Sequence, residues 1–254
     1  MIKLQADGSL VDKQEISGVT RTGLAFRPFF LLGALFSVIS LVIWGGLLNG
    51  LFTINVFGGG HWWHIHEMLF GFISAIVVGF LLTAVKTWTG QIGLSGLKLF
   101  SLVFLWLTGR ILLLMPTMLP QEIISALDIM FLPVAALLLA IPIVKVKRWR
   151  NRIVVPLLLV MSYTNAMMHY SIYIGSSQRL LLASTTMVLL ITLLMCLMGG
   201  RVFPMFTANG TQTKRVLPIG WLEKSSLVFL FLLVVISLFQ LTLFPELMAG
   251  LYIV

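Results

Sequence analysis

Seven long apolar segments, bounded by glycine, proline or charged residues, dominate the pattern of hydrophobic and polar positions along the chain. They cover residues 29–50, 65–86, 96–115, 121–144, 153–174, 179–203 and 226–246. About 20 apolar residues are enough for a helix to cross a hydrocarbon core of roughly 30 Å. Backbone groups find no water partners in that layer, so unbroken runs predict helices. The pattern therefore predicts an all-α fold, a polytopic helical membrane bundle of about seven transmembrane helices. The apolar stretch 247–254 could start an eighth.

Composition excludes a soluble domain. The 254 residues are 59% hydrophobic and 10% charged, whereas soluble domains carry about 25% charged residues. The single cysteine, Cys196, excludes an intrachain disulfide and any multi-cysteine metal site. Residues 1–28 contain no apolar core of a signal peptide, so we expect a cytoplasmic amino-terminal segment there and a transmembrane domain over 29–254.

The basic residues predict the orientation of the spans. All of the 17 lysine and arginine residues except Arg110 and Arg179 fall in the amino-terminal segment or in the even-numbered loops. Cytoplasmic loops are the ones enriched in these residues. We therefore predict a cytoplasmic amino terminus. This asymmetry also accounts for the net charge of +9 without a nucleic-acid partner.

Ionisable residues inside the spans are predicted to lie at one depth. The stretch HWWHIHE, residues 61–67, starts the second span at its outer end. At about 1.5 Å per residue, Arg110, Asp128 and His169 fall in the same outer third of the membrane as His66 and Glu67. A charge within a span costs several kcal/mol by insertion scales (roughly 2.5–3.5 kcal/mol), so such residues face the bundle interior. The sequence thus predicts one polar cluster.

Residue spacing indicates which helix faces carry this cluster. Glu67 is followed every four positions by a small residue, a pattern that lets another helix approach closely. The residues of this stripe are Gly71, Ala75 and Gly79, with His64 three positions before Glu67. On the fifth span one polar face is formed by Ser162, Asn165, His169 and Tyr173.

Histidines at one depth suit haem or copper ligation, because neutral imidazole is a good ligand to both metals. The candidate ligands are His64, His66 and His169, with Arg110 available to haem propionates and Glu67 or Asp128 available to orient an imidazole. His64 and His66 point about 200° apart on a helix. Either one of them binds and the other serves a second site, or the helix begins only after His66.

Structural interpretations of the same residues stay open. Arg110 could form an ion pair with Asp128 or Glu67 that fixes the packing, and His169 could hydrogen-bond Asn165. His61, beside glycines and tryptophans, is typical of an interfacial residue. Met167 and Met168 are soft ligands suited to Cu(I), although methionines are mostly core filler.

Five motifs resemble the NnrS family in the family's order and cover almost the whole chain. They are GLAFRPFFLLGALF (23–36), WWHIHEMLFGFISAIVVGFLLTAVKTWTG (62–90), LWLTGR (105–110), DIMFLP (128–133) and MGGRVFPMFTANG (198–210). The resemblance implies a polytopic bacterial inner-membrane protein that carries haem and copper and is linked to nitric oxide metabolism and tolerance. It also implies that the motif positions include His64, His66, Glu67, Arg110, Asp128, His169 and Arg201. Family members usually have about twelve spans, so a shortened member, a missing carboxy-terminal partner or a fragment is expected.

Three classes of function compete for this sequence. The leading interpretation is a membrane protein that binds haem b, and with it copper, and takes nitric oxide as a ligand. The alternative is a proton-coupled transporter or channel that uses Glu67, Asp128, Arg110 and His169. The third is an assembly subunit in which the polar cluster fixes helix packing. No catalytic signature such as HExxH is present, so enzymatic activity is left open. The lipid bilayer is the expected environment, and the small-residue stripe permits a homodimer.

Overall fold

Helices make up the regular structure of the residues that the computed structural model describes, which are 25–91, 93–146, 151–217 and 219–239. Each predicted span corresponds to a helical segment there. We number these α1 Phe26–Leu48, α2 Gly60–Thr89, α3 Gly96–Leu114, α4 Gln121–Val144, α5 Val154–Tyr173, α6 Ser177–Thr211 and α7 Gly220–Phe239. The prediction of an all-α bundle is confirmed.

Six of these segments, all except α5, are long and apolar enough to cross a membrane. The exception has 20 residues, but its polar face with Ser162, Asn165 and His169 lowers its hydropathy. The chain is therefore a multi-pass membrane protein. The predictions for residues 1–24 and for an eighth helix over 247–254 fall outside the described residues. The orientation of the spans stays a prediction.

Helix ends differ from the predicted spans because backbone hydrogen bonding continues past the apolar window. The second helix begins at Gly60 instead of residue 65, directly after Gly58 and Gly59, which have positive φ angles of 69° and 82°. Glycine takes such angles at little steric cost, so the loop can turn sharply there and the helix can start. The sixth helix runs through Pro204 to Thr211, and the seventh begins at Gly220 instead of residue 226.

The described chain divides into two compact units, of which the first ends at Val155 and the second begins at Pro156. In the first unit α1 packs along α2, on the small-residue stripe. A Cβ atom on Gly79 would lie 2.8 Å from the Cβ of Phe29. Real Cβ atoms do not approach so closely, so glycine is needed at this position. The predicted close approach of another helix is confirmed.

The second unit contains α6 packed on α7. The Oγ1 atom of Thr186 and the Oγ atom of Ser237 are 2.7 Å apart and form a buried hydrogen bond between these two helices. Thr164 on α5 places its Oγ1 atom 3.7 Å from the Sδ atom of Met187 on α6. Hydroxyl groups of this kind connect helices where lipid supplies no hydrogen-bond partners.

Candidate functional site

A wide helical turn near the start of α2 positions His66 and Glu67. Gly60–His66 is α-helical, Glu67–Ile73 is π-helical, and the α-helix resumes at Ser74. The carbonyl of Leu69 accepts a hydrogen bond from the Ser74 hydroxyl at 3.1 Å, and that of Gly71 accepts one from Trp106 Nε1 at 2.9 Å. These donors stabilise a turn that is rare elsewhere and frequent at functional sites. The sequence reasoning missed it, because no proline or other breaker marks it.

Four ionisable residues close into a ring beside this turn. The Arg110 guanidinium, on α3, donates from Nη1 to Glu67 Oε2 at 2.5 Å and from Nη2 to Asp128 Oδ1. His66 completes the ring, with Nδ1 3.3 Å from Glu67 Oε1 and Nε2 3.1 Å from Asp128 Oδ2. We call these four residues the ionic ring. Both oxygens of each carboxylate are used, one toward arginine and one toward histidine.

The ionic ring lies away from solvent, since its members are between 0% and 4% exposed. Buried charges of this kind are tolerated only when they are paired and hydrogen-bonded. One guanidinium and two carboxylates leave a formal charge of −1 if the imidazole is neutral and zero if it is protonated. A neutral imidazole has one N–H, yet both of its nitrogens face carboxylate oxygens. A second proton, or a metal cation in its place, therefore matches the geometry.

Two glycines make room for the ionic ring. A Cβ atom on Gly71 would lie 2.6 Å from Arg110 Nη1 and 2.6 Å from Glu67 Oε2, and one on Gly109 would lie 3.0 Å from Asp128 Oδ1. Any larger residue at Gly71 would force these buried groups apart. The small-residue stripe pointed to Gly71, whereas Gly109 was not predicted. Its position directly before the buried Arg110 was the signal that could have found it.

Aromatic rings close the faces of the site. The indole of Trp62 is stacked on the His66 imidazole, with centroids 4.7 Å apart and planes 11° apart. The Phe70 ring lies 5.2 Å from the same imidazole, and the Arg110 guanidinium lies 5.9 Å from the centroid of Phe36. These apolar walls exclude water, so the charges of the ring are compensated by one another.

The other two histidines of the stretch HWWHIHE, His61 and His64, lie apart from the ionic ring. Because the helix begins at Gly60, the alternative of a helix that starts only after His66 is wrong. His64 instead stacks on Trp44, with centroids 4.7 Å and planes 4° apart, and its Nδ1 has no hydrogen-bond partner among the described residues. His61 is exposed, 6.2 Å from the same indole. The two candidate ligands His64 and His66 thus have different surroundings.

His169 lies in the second unit, on α5, and is 1% exposed. Ser162 and Asn165, from the same predicted polar face, are buried as well, whereas Tyr173 is 47% exposed. The predicted face is therefore buried over its first three members only. The structure brings together His66, Glu67, Arg110 and Asp128 in the first unit. The ion pair that the sequence left open for Arg110 is formed with both carboxylates.

Fold and site together define a multi-pass helical membrane protein with a buried, charge-compensated cluster that contains histidine. A family model described as "NnrS protein" matches residues 21–254. The chain therefore belongs to the NnrS family, as its motifs predicted. Membership links this membrane protein to the nitric oxide response, and the family is known for haem and metal binding. Comparisons with curated proteins and with solved structures give no match.

Proposed function

We propose that this protein binds copper and haem in the bacterial cytoplasmic membrane and takes part in nitric oxide metabolism or tolerance. Family membership supports the link to nitric oxide. The observation that carries the metal part of the proposal is the fully buried His66, held between two carboxylates. A homodimer and a carboxy-terminal partner stay predictions.

The ionic ring suits a small metal ion. His66 Nε2 and Asp128 Oδ2 are 3.1 Å apart, and an imidazole nitrogen with a carboxylate oxygen is a donor set that copper accepts. Glu67 contacts the other imidazole nitrogen, Nδ1. A carboxylate in that position fixes the tautomer and orientation of a ligating histidine. In this proposal His66 and Asp128 hold the metal, Glu67 orients the imidazole, and Arg110 balances the carboxylates.

A haem would need an imidazole nitrogen that no carboxylate contacts, so His64 suits it better than His66, whose two ring nitrogens both face carboxylate oxygens. The Nδ1 atom of His64 has no hydrogen-bond partner among the described residues, and Trp44 holds the imidazole plane by stacking. His169, buried in the second unit, is proposed as an alternative haem ligand to His64. Both terminal nitrogens of Arg110 are engaged by carboxylates, so its predicted role toward haem propionates would require one of these ion pairs to open.

The chain's own residues would keep such a site dry and its histidines fixed. Trp62 and Phe70 pack against the His66 ring, and the glycine at position 71 keeps Glu67 and Arg110 in contact. When bound, a reduced haem iron or copper supplies an open coordination position for a small apolar gas such as nitric oxide. Since that gas is soluble in lipid, a site among apolar helices is accessible to it.

The test is metal analysis and absorption spectroscopy of protein purified in detergent from cells supplied with haem and copper. We expect copper, a Soret band, and a shift of that band on addition of nitric oxide. His66→Ala should lose most of the copper and keep the Soret band, whereas His64→Ala or His169→Ala should weaken that band. His61→Ala, at an exposed position, is the matched control. A folded, monodisperse protein without colour or copper would overturn the proposal.

A proton-coupled transporter is the second candidate, because the ionic ring joins Glu67 to Asp128 through both nitrogens of His66. Against it, the buried positions of α2 after Ser74 are all apolar or glycine: Ala75, Val78, Gly79, Leu81, Leu82 and Val85. Proton uptake by proteoliposomes with a pH-sensitive dye separates the two candidates. Uptake that Glu67→Gln abolishes would favour the transporter.

A further inference from the structure

A cavity of about 610 Å³ opens at the end of α2 that lies away from the ionic ring. Three helices of the first unit border it: the end of α2, the start of α3 and the end of α4. Its walls are apolar and its polar residues include two lysines. The lining includes Leu82, Leu138, Ile141, Lys98 and Lys145. The volume falls within the roughly 300–1,000 Å³ of small-molecule sites.

The cavity lies near one face of the membrane. Glu67 starts the π turn of α2, and Leu82 and Val85 line the cavity near the other end of the same helix. At about 1.5 Å per residue, this separation corresponds to roughly 22–27 Å, most of a hydrocarbon core of about 30 Å. The distribution of basic residues predicts that this end is cytoplasmic.

No residue within the described parts of the chain neutralises the two lysines of the cavity. Lys98 and Lys145 are both exposed, and neither forms an ion pair with a described residue. Lys98 also lies in the first turn of α3, which has no acidic residue. A positive charge there opposes the helix dipole, so helix stability does not explain the lysine. The cavity thus combines two uncompensated positive charges with an apolar wall.

We propose that this cavity binds one anionic phospholipid, with the headgroup phosphate at Lys98 and Lys145 and an acyl chain along Leu82, Leu138 and Ile141. Basic pockets between transmembrane helices on the cytoplasmic side are known to take such headgroups. A soluble phosphate would use the lysines and leave the apolar wall uncovered. A phospholipid matches both the lysines and the apolar wall of the cavity, and the bilayer supplies it at this depth.

Lipid titration of the purified protein, read by native mass spectrometry in detergent, tests the charge part of the proposal. We expect phosphatidylglycerol to bind in preference to phosphatidylcholine with the same chains. Lys98→Gln with Lys145→Gln should remove most of that preference, on the order of fivefold for each lysine. The matched control is Arg215→Gln with Lys224→Gln, which removes two exposed charges of the second unit. Equal binding of both lipids, or a preference that survives the lysine changes, would overturn the proposal.

A second pair of variants tests the apolar part. Ile141→Trp fills the cavity and leaves both lysines in place, so it should reduce binding of both lipids. Leu137→Trp is the control, because Leu137 is 63% exposed and does not line the cavity. Inorganic phosphate should not displace phosphatidylglycerol at millimolar concentration. Displacement by phosphate, with no effect of Ile141→Trp, would show a soluble-anion site and refute the lipid site.

Discussion

At the start of α2, His66 and Glu67 are fully buried and hydrogen-bonded within the ionic ring, whereas at its end Lys86 is exposed. Lys98 and Lys145, at the same end, are exposed as well and have no ion-pair partner among the described residues. Charges at the start of the helix are compensated by other charges inside the protein, whereas those at its end are exposed to water or lipid. We therefore expect substitutions at the first end to change folding stability and metal binding, and substitutions at the second end to change lipid binding with little effect on stability.

Removing the guanidinium should have the largest effect on stability. Arg110→Met leaves Glu67 and Asp128 without their cationic partner in a buried site, and breaking a buried ion pair in this way costs about 3–5 kcal/mol. We expect a clear loss of thermal stability in detergent, measured by circular dichroism. Arg179→Met, at an exposed arginine, is the matched control and should change little.

A triple variant separates unpaired charge from lost packing. Arg110→Met combined with Glu67→Gln and Asp128→Asn removes the uncompensated carboxylates, so it should be more stable than Arg110→Met alone. If the triple variant is less stable than Arg110→Met, lost packing and not lost charge compensation explains the loss of stability in Arg110→Met.

Gly71→Ala should have the next largest effect. The new methyl group would lie 2.6 Å from both Arg110 Nη1 and Glu67 Oε2, and overpacking of this kind costs roughly 1–3 kcal/mol. Gly45→Ala is the control on α1, where a Cβ atom meets nothing within 4 Å. That change should be neutral or stabilising, since alanine favours helices over glycine by up to about 1 kcal/mol. Equal melting temperatures for the two variants would contradict the close approach at Gly71.

Trp106→Phe should have a smaller effect, because it removes one hydrogen bond and keeps most of the aromatic volume. The Gly71 carbonyl loses its indole donor, which corresponds to about 1 kcal/mol. Amide hydrogen exchange, followed by mass spectrometry on peptides that cover residues 67–74, should show faster exchange. Unchanged exchange there would mean that the π turn does not depend on Trp106.

The smallest effect on folding is expected at the other end of α2. Lys98→Gln with Lys145→Gln removes exposed, unpaired charges, and substitutions of this kind usually have little effect on stability. The melting temperature in detergent without added lipid should stay within about 2 °C of the parent protein. A large loss of stability would show that these lysines contribute to the folded core. It would contradict the difference between the start and the end of α2.

The sequence predicted the helices, the interior stripe and a cluster of ionisable residues that includes the four of the ionic ring, because each of these depends on hydropathy, helical period or depth. His66, Glu67, Arg110 and Asp128 meet because charges in an apolar layer must compensate one another. The π turn and the role of Gly109 were missed, since both depend on contacts between helices and not on local propensity. The separate surroundings of His64 and His66 required knowing that the helix already begins at Gly60.

The π turn also has a consequence for the register of α2. A π turn corresponds to one residue inserted into an α-helix, so everything before Glu67 is rotated by about 100° relative to a continuous α-helix. Deleting a single residue such as Met68 would turn His66 away from Asp128 while every side chain of the ionic ring is retained. The length of the chain between residues 66 and 74 is thus as much a determinant of the site as the identity of its ligands.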